Sequence, residues 1–277
     1  MRRSIRRLFL ATPVLGALYC WARKTYHMYA SAKDARRYFI NYGDYRRALQ
    51  VEENRTVEIR TADGLTITIR MNIWDARILQ EIFLDNPYVR DCSLPLDPII
   101  VDIGGYIGDF ALYAAKKLGS RKVFVYEPSK KNFAIMSRNI EHNQYSDRIV
   151  AVNMAVSDAN KVMLDIDLPD SKQVNVSVYK SDPSSARSVP SITLEDLFNA
   201  HELRCVDLLK LDCEGSEYAI LLGAPLELFK RIRNIAMEYH EIEGFEAKLL
   251  AVQTRLKNVG YSVMIRGDIL CASRGQT

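Results

Sequence analysis

Ile99-Ile-Val-Asp102-Ile-Gly104-Gly105-Tyr106-Ile-Gly108-Asp109 decides the fold of this 277-residue chain. Ile99, Ile100 and Val101 are a β-branched run, as a strand buried on both faces requires. Asp102 closes the run, and Gly104, Gly105 and Gly108 make a turn too tight for side chains. Phe110–Leu118 then reads as an amphipathic helix stopped by Gly119. A strand, a glycine turn and a helix N-terminus form a pocket for a cofactor, with backbone N–H groups facing it.

The glycine spacing narrows the choice of cofactor. Dinucleotide folds use G-x-G-x-x-G. Counted from Gly104, the second and third glycine positions hold Tyr106 and Asp109; counted from Gly105, they hold Ile107 and Phe110. Both registers fail. The pattern D-x-G-x-x-x-G over Asp102–Gly108 is instead similar to the first motif of class I S-adenosylmethionine (SAM) methyltransferases.

Around this centre the chain reads as alternating strands and helices. Thr56–Arg60 and Leu65–Arg70 alternate in period two around Ala62-Asp63-Gly64, a β-hairpin with a D-G turn. Asp75–Leu84 reads as a helix ended by Asp85-Asn-Pro87, and Asp91–Pro98 as a loop into the central strand. Lys122–Tyr126 is the second strand, Ser129–Asn143 the next helix and Ile149–Val152 the third strand. Residues 162–166 and 174–178 read as an inserted hairpin turning at Pro169–Lys172, beside a loop Ser181–Pro190. Thr193-Leu-Glu-Asp196 caps a short helix. Val206–Leu211 and Asn234–Met237 are the fourth and fifth strands, with a helix from Ser216 to Gly223 between them. Ala247–Asn258 is a helix, and Tyr261–Ile265 and Ile269–Ala272 are a final antiparallel pair. The expected fold is α/β and doubly wound, with a mostly parallel seven-stranded sheet, an N-terminal helical arm and a hairpin.

Three parts follow: a basic arm over 1–50 with an apolar segment at 8–22, a hairpin and helix over 51–98 packed on the core, and the main domain over 99–277. The chain's net charge of +4 is unevenly spread. Residues 1–50 hold eleven Lys/Arg against two Asp, and the remainder is net acidic. The domain therefore carries no nucleic-acid footprint. Five cysteines without a C-x-x-C pair point to reduced thiols in a cytoplasmic setting. The four histidines are scattered without metal-ligand spacing, so no metal site is expected; carboxylate pairs able to take Mg²⁺ are the alternative.

Three motifs occur in order: Val101-Asp-Ile-Gly-Gly-Tyr-Ile-Gly-Asp109, Tyr126-Glu-Pro128 and Leu209-Lys-Leu-Asp-Cys-Glu-Gly-Ser-Glu217. With them the chain resembles the FkbM family of SAM-dependent methyltransferases, from about Arg55 to Ala272. Asn153–Asp158, Thr193–Leu197 and Glu238-Tyr-His240 match its later blocks. Where that family carries alanine and asparagine, this chain has Gly105 and Tyr106. Gly105 is expected to loosen the turn, and Tyr106 to stack on or fill the cofactor pocket.

The resemblance implies SAM as methyl donor and a hydroxyl of a sugar, glycan or other small metabolite as acceptor. The cofactor residues it implies are Asp102, Gly104, Tyr106, Gly108, Glu127 and Asn153. Glu127, at the end of the second strand, would take the ribose hydroxyls. Asn153 would meet the adenine edge. Asp102 would orient the turn or meet the cofactor's amino group. A hydroxyl needs a general base. His240 is favoured because an ordinary imidazole titrates near ~6.5, with Asp212 or Glu214 orienting the acceptor or holding the imidazole. Glu217 reads as a complement to its helix dipole. The competing function is a non-catalytic binding or scaffold protein that keeps the fold.

Leu8–Ala22 is an apolar run framed by Arg2, Arg3, Arg6, Arg7 and then Arg23 and Lys24. It is short of the ~20 residues that span a bilayer. It is expected to be a membrane-surface or signal-anchor segment; the alternatives are a basic helix that packs on the domain or stays disordered, and a cleaved signal. Cell fractionation checks this. The full-length chain should sediment with membranes and a chain lacking residues 1–25 should not; a wholly soluble full-length chain contradicts the anchor.

Overall fold

Strand β3 (Ile99–Ile103) lies inside a seven-stranded sheet of order β12-β13-β11-β10-β3-β4-β5. The other members are β4 (Lys122–Tyr126), β5 (Ile149–Val152), β10 (Val206–Leu211), β11 (Ile232–Glu238), β12 (Ser262–Arg266) and β13 (Ile269–Ser273). β13 runs antiparallel to both of its neighbours, and the remaining pairings are parallel. The computed structural model describes residues 33–158, 163–167, 177–180 and 188–275. Segment 8–22, Cys20, the turn Pro169–Lys172 and residues 181–187 lie outside the described residues. Among the described residues no helix is long and apolar enough to cross a membrane.

β10 is buried at every position, which explains its nearly unbroken apolar run. Alternate side chains of the sheet feed two cores. Ile100, Val123, Val125 and Leu208 face one core, shared with helices Asp109–Lys116 and Lys130–His142 and with the N-terminal elements. Val101, Ile103, Leu209 and Leu211 face the other, with helices Leu194–Ala200, Glu217–Gly223 and Phe245–Asn258. After β3 the chain winds to β4 and β5 on one side, then returns to β10 and β11 on the other. The order thus reverses between β3 and β10, where open α/β sheets place their ligands.

The N-terminal hairpin pairs β1 (Glu53–Arg60) with β2 (Thr66–Met71), and Gly64 takes the left-handed turn position. Two side-chain amides dock it. Asn139 bonds both backbone groups of Thr68 at 2.7 and 3.0 Å, and Asn143 those of Thr66 at 2.8 and 2.7 Å. These amides satisfy groups that an edge strand would leave open. The following helix, Ile73–Gln80, is capped by Asn72 and runs on through a π-helical turn, Glu81–Asp85. It forms part of the site's wall.

One expectation fails in the insertion. The loop Ser181–Pro190 ends inside a strand, β9 (Ser188–Thr193), which pairs with β6 (Ala155–Ser157) and with β7 (Met163–Asp167). Pro190 hid it, because a proline argues against a strand; Val189 and Ser191 are buried and Pro190 is exposed. The expected hairpin is present: β7 pairs antiparallel with β8, Ser177–Lys180, and residues 174–176 lie outside the described residues. These four strands form a separate sheet of order β6-β9-β7-β8.

Gly105 also departs from expectation. A Cβ there would stand 2.2 Å from Val125 Cγ2, so the glycine tightens the turn against β4. At Gly104, with φ +88°, a Cβ would lie 1.7 Å from the Asp212 carbonyl oxygen. The turn therefore runs directly against the end of β10, and only glycine permits that approach.

Candidate active site

The carboxyl ends of β3, β4, β10 and β11 open into a cavity of about 280 Å³. Its wall includes Gly104, Tyr106, Asp109, Glu127, Asp212, Glu214, Glu238 and His240, with Trp74, Arg77 and Ile78 from the N-terminal helix. The elements thus bring Glu127 together with the acceptor-side candidates Asp212, Glu214 and His240.

Glu127 is 4% exposed and held from two sides. Tyr106 N–H donates to its Oε2 at 2.9 Å, and Ser129 N–H to its Oε1 at 2.8 Å. Burial pushes this acid up to about 7 against those hydrogen bonds. Asn132 Nδ2 also donates to Oε1, at 3.4 Å, so Oε2 is the oxygen that keeps a lone pair for a ligand. Tyr106 is bent into the left-handed region at φ 47°. Its hydroxyl donates to Asp75 at 2.7 Å and the Arg70 guanidinium lies over its ring at 5.0 Å, which anchors the ring in the wall.

Three other cofactor candidates do not line the cavity. Asp102 is fully buried and pairs with Lys210 Nζ at 3.0 Å, and the same nitrogen donates to the Gly104 carbonyl at 3.1 Å. Gly108, with φ +84°, starts the helix against Met136. Asn153 is the clearest correction. Its amide nitrogen is spent on the carbonyls of Glu127 and Pro128, at 2.8 and 3.0 Å. Met154, Ala155 and Val156 form the wall in its place.

The acceptor end is rich in acid. His240 Nδ1 lies 3.1 Å from Glu217 Oε1, and its Nε2 lies 3.4 Å from Glu214 Oε2 and 4.0 Å from Asp212 Oδ1. Burial alone would lower this histidine, but the Glu217 hydrogen bond and the charges of Glu217, Glu214 and Asp212 push it up to about 9. It is an imidazolium at neutral pH and is not poised to accept a proton, contrary to the expectation from an ordinary histidine. Burial pushes Glu214 up to about 7, against the pull of His240. Glu214 also sits in the left-handed region, φ 55°, where strain in a non-glycine residue marks functional sites.

Glu217 does more than complement its helix. Its carboxylate accepts from Cys213 N at 2.6 Å and Gly215 N at 2.8 Å, fixing the loop that presents Glu214, and it holds the imidazole. The sequence motif contained it without revealing that role. Tyr88 and Glu238 were missed. The Tyr88 hydroxyl lies 2.9 Å from Asp212 Oδ2 and also touches Glu238 Oε2. One phenol proton serves one of these contacts, so the other requires a proton on a carboxylate. Burial pushes Glu238 up to about 8, which supplies it. Among the described residues, Asp212, Glu238 and His240 offer donor atoms within 4.8 Å of one another, a set that could hold a metal ion.

The cavity fits SAM on its own chemistry: Glu127 Oε2 has a lone pair for a ribose hydroxyl, and the Gly104 backbone forms part of the wall. A dinucleotide would place a pyrophosphate at the N-terminus of Asp109–Lys116, where the buried side chain of Asp109 stands, pushed up to about 8 by burial.

Residues 102–263 match the family described as the methyltransferase FkbM domain, more than half of the chain. The chain is 26% identical over 237 residues to methyltransferase sdnD of Sordaria araneosa, covering 75% of this chain and 90% of the relative. It is 25% identical over 247 residues to 31-O-demethyl-FK506 methyltransferase FkbM of Streptomyces tacrolimicus, covering 77% and 92%. A crystal structure of methyltransferase FkbM from Methylobacillus flagellatus KT aligns with TM-score 0.47 and 17% identity over 73% of this chain and 54% of that one.

Lys210 tests the site's framework. Its side chain is 3% exposed, and replacing it with Met strands the Asp102 carboxylate without its cation. Breaking a buried pair in this way costs about 3–5 kcal/mol. Urea denaturation of Lys210→Met should show a loss on that scale; wild-type stability would mean that the pair holds nothing.

Proposed function

The chain belongs to the FkbM family of methyltransferases, and from that premise we propose that it methylates a hydroxyl of a sugar or similarly small metabolite. The observation that supports this reading is one cavity with a buried carboxylate, Glu127, on one side and the Glu214–His240–Glu217 chain on the other. Trp74 at the rim is 41% exposed and offers an aromatic face against which a sugar ring can pack. The Streptomyces relative is named for a methylation on oxygen, which supports an oxygen acceptor.

When bound, SAM supplies an electrophilic methyl on a positive sulfur. The residues that would hold it are Gly104, Tyr106, Glu127 and the apolar wall Met154–Val156. The chain's own task is to orient the acceptor and take its proton. Glu214 is the general base. Its carboxylate is free above about 7, and the His240 imidazolium beside it holds it in place. Glu217 fixes that imidazolium through Nδ1. Asp212, held by Tyr88, orients the hydroxyl. Positioning supplies much of the acceleration, because the methyl passes in line between two atoms. No metal takes part in this scheme.

Cell extract incubated with the protein and methyl-labelled SAM tests it by mass spectrometry. Label should enter a hydroxylated metabolite, at an unchanged rate in EDTA. The rate should rise as pH passes about 7, where Glu214 ionises, and fall above about 9, where His240 loses its proton. Glu214→Gln should lower it by about 10²–10⁴-fold, the usual worth of a general base. Full transfer by Glu214→Gln removes that residue from the mechanism. Loss in EDTA moves the proton chemistry to a metal at Asp212, Glu238 and His240. Donor binding without labelling of any acceptor favours the scaffold alternative.

A further inference from the structure

We infer that Arg77, beside Trp74, is a subsite for an anionic group on the acceptor, so that the substrate is an acidic sugar or a similar hydroxylated acid. The inference rests on the methyl-transfer reading of the cavity and names the class of its acceptor. Trp74 and Arg77 stand one turn apart on the helix Ile73–Gln80, and both line the cavity. The Arg77 guanidinium lies over the Trp74 ring, 5.9 Å from its centroid, within reach of a cation–π contact. Two other cations share the wall, and both are committed. Lys210 is held by Asp102 at 3.0 Å and the Gly104 carbonyl at 3.1 Å, and His240 by Glu217 at 3.1 Å. Arg77 is exposed, and among the described residues no carboxylate pairs with its guanidinium. Even Glu81, four residues on, has Lys210 as its cationic neighbour instead.

The helix that carries this cation is fastened to the donor side of the cavity. Asp75, between Trp74 and Arg77, is fully buried; it accepts from the Tyr106 hydroxyl at 2.7 Å and from Arg70 Nε at 3.0 Å. Arg70 Nη1 donates in turn to Asn132 Oδ1 at 2.8 Å, and Asn132 Nδ2 reaches Glu127. A charge on such a rigid element can fix the register of a substrate. The chemistry of the group it takes is constrained. A guanidinium presents a planar fork of N–H donors, which two oxygens of one carboxylate or phosphate accept together. A neutral hydroxyl would use part of the fork and none of the charge, and an ammonium would be repelled. The sugar ring packs on Trp74, its anionic group meets Arg77, and a hydroxyl elsewhere on the same molecule meets Glu214.

Extract labelled with methyl-labelled SAM and resolved by anion exchange at neutral pH tests this. The methylated product should be retained as an anion. Retention lost on phosphatase treatment identifies a phosphate, and retention lost on carbodiimide amidation identifies a carboxylate. The acceptor itself, purified from unlabelled extract, is then the probe. Arg77→Gln should lower kcat/KM for it about tenfold or more, the scale of a hydrogen bond between charged groups. Affinity for S-adenosylhomocysteine, read by titration calorimetry, should stay at the wild-type value. Arg77→Lys, which keeps the charge and loses the fork, should fall between the two. A labelled product that passes the column uncharged overturns the assignment, as does an unchanged kcat/KM in Arg77→Gln. Loss of S-adenosylhomocysteine affinity in Arg77→Gln places the residue on the donor and overturns it too. No labelled product at all overturns the methyl-transfer reading and this assignment with it, so the two failures are distinguishable.

Discussion

The ammonium of Lys210 ties the two halves of the cavity together. In the parallel register of β10 and β3, Lys210 stands beside Asp102, and the buried pair closes to 3.0 Å. The same nitrogen reaches the Gly104 carbonyl at 3.1 Å and Asp212 at 3.6 Å, above the rings of Tyr88 and Phe110. Burial would lower a lone lysine, but Asp102, Asp212 and Asp109 raise this one, so it stays charged. One cation therefore holds the glycine turn on the donor side and the first carboxylate on the acceptor side. It also draws the turn so close to β10 that residue 104 has no room for a Cβ.

Around that tie, burial sets the proton balance. Glu127 on the donor side and Glu214 on the acceptor side are both pushed up to about 7, mainly because they are withdrawn from water. Glu238 goes higher and lends a proton to its contact with Tyr88. The Lys210 and Arg77 cations stand among these acids in the same wall. His240 works inside that field as a cation, held by Glu217.

Much of this fold could be read from local pattern. Ile99–Val101 and Val206–Leu211 are continuous apolar runs because parallel strands are covered on both faces. The glycine turn is visible because backbone geometry leaves no other residue. What stayed hidden depends on distant partners. Tyr88 belongs to no motif, and its partners Asp212 and Glu238 lie 124 and 150 residues away. The charge of His240 follows from three carboxylates that only the folded chain assembles. Asn153 sits at the expected strand end, but its amide serves the backbone of Glu127 and Pro128. In β9, Pro190 masked a strand whose neighbours carry the alternation.

The central claim is that Glu127 grips the ribose of a methyl donor whose sulfur faces Glu214. The most direct measurement is a crystal structure of the full chain with S-adenosylhomocysteine. The expected result is a ribose hydroxyl on Glu127 Oε2 and the sulfur turned toward Asp212 and Glu214. A ligand bound with Glu127 turned away from it, or a cleft that stays empty at saturating ligand, would contradict the claim.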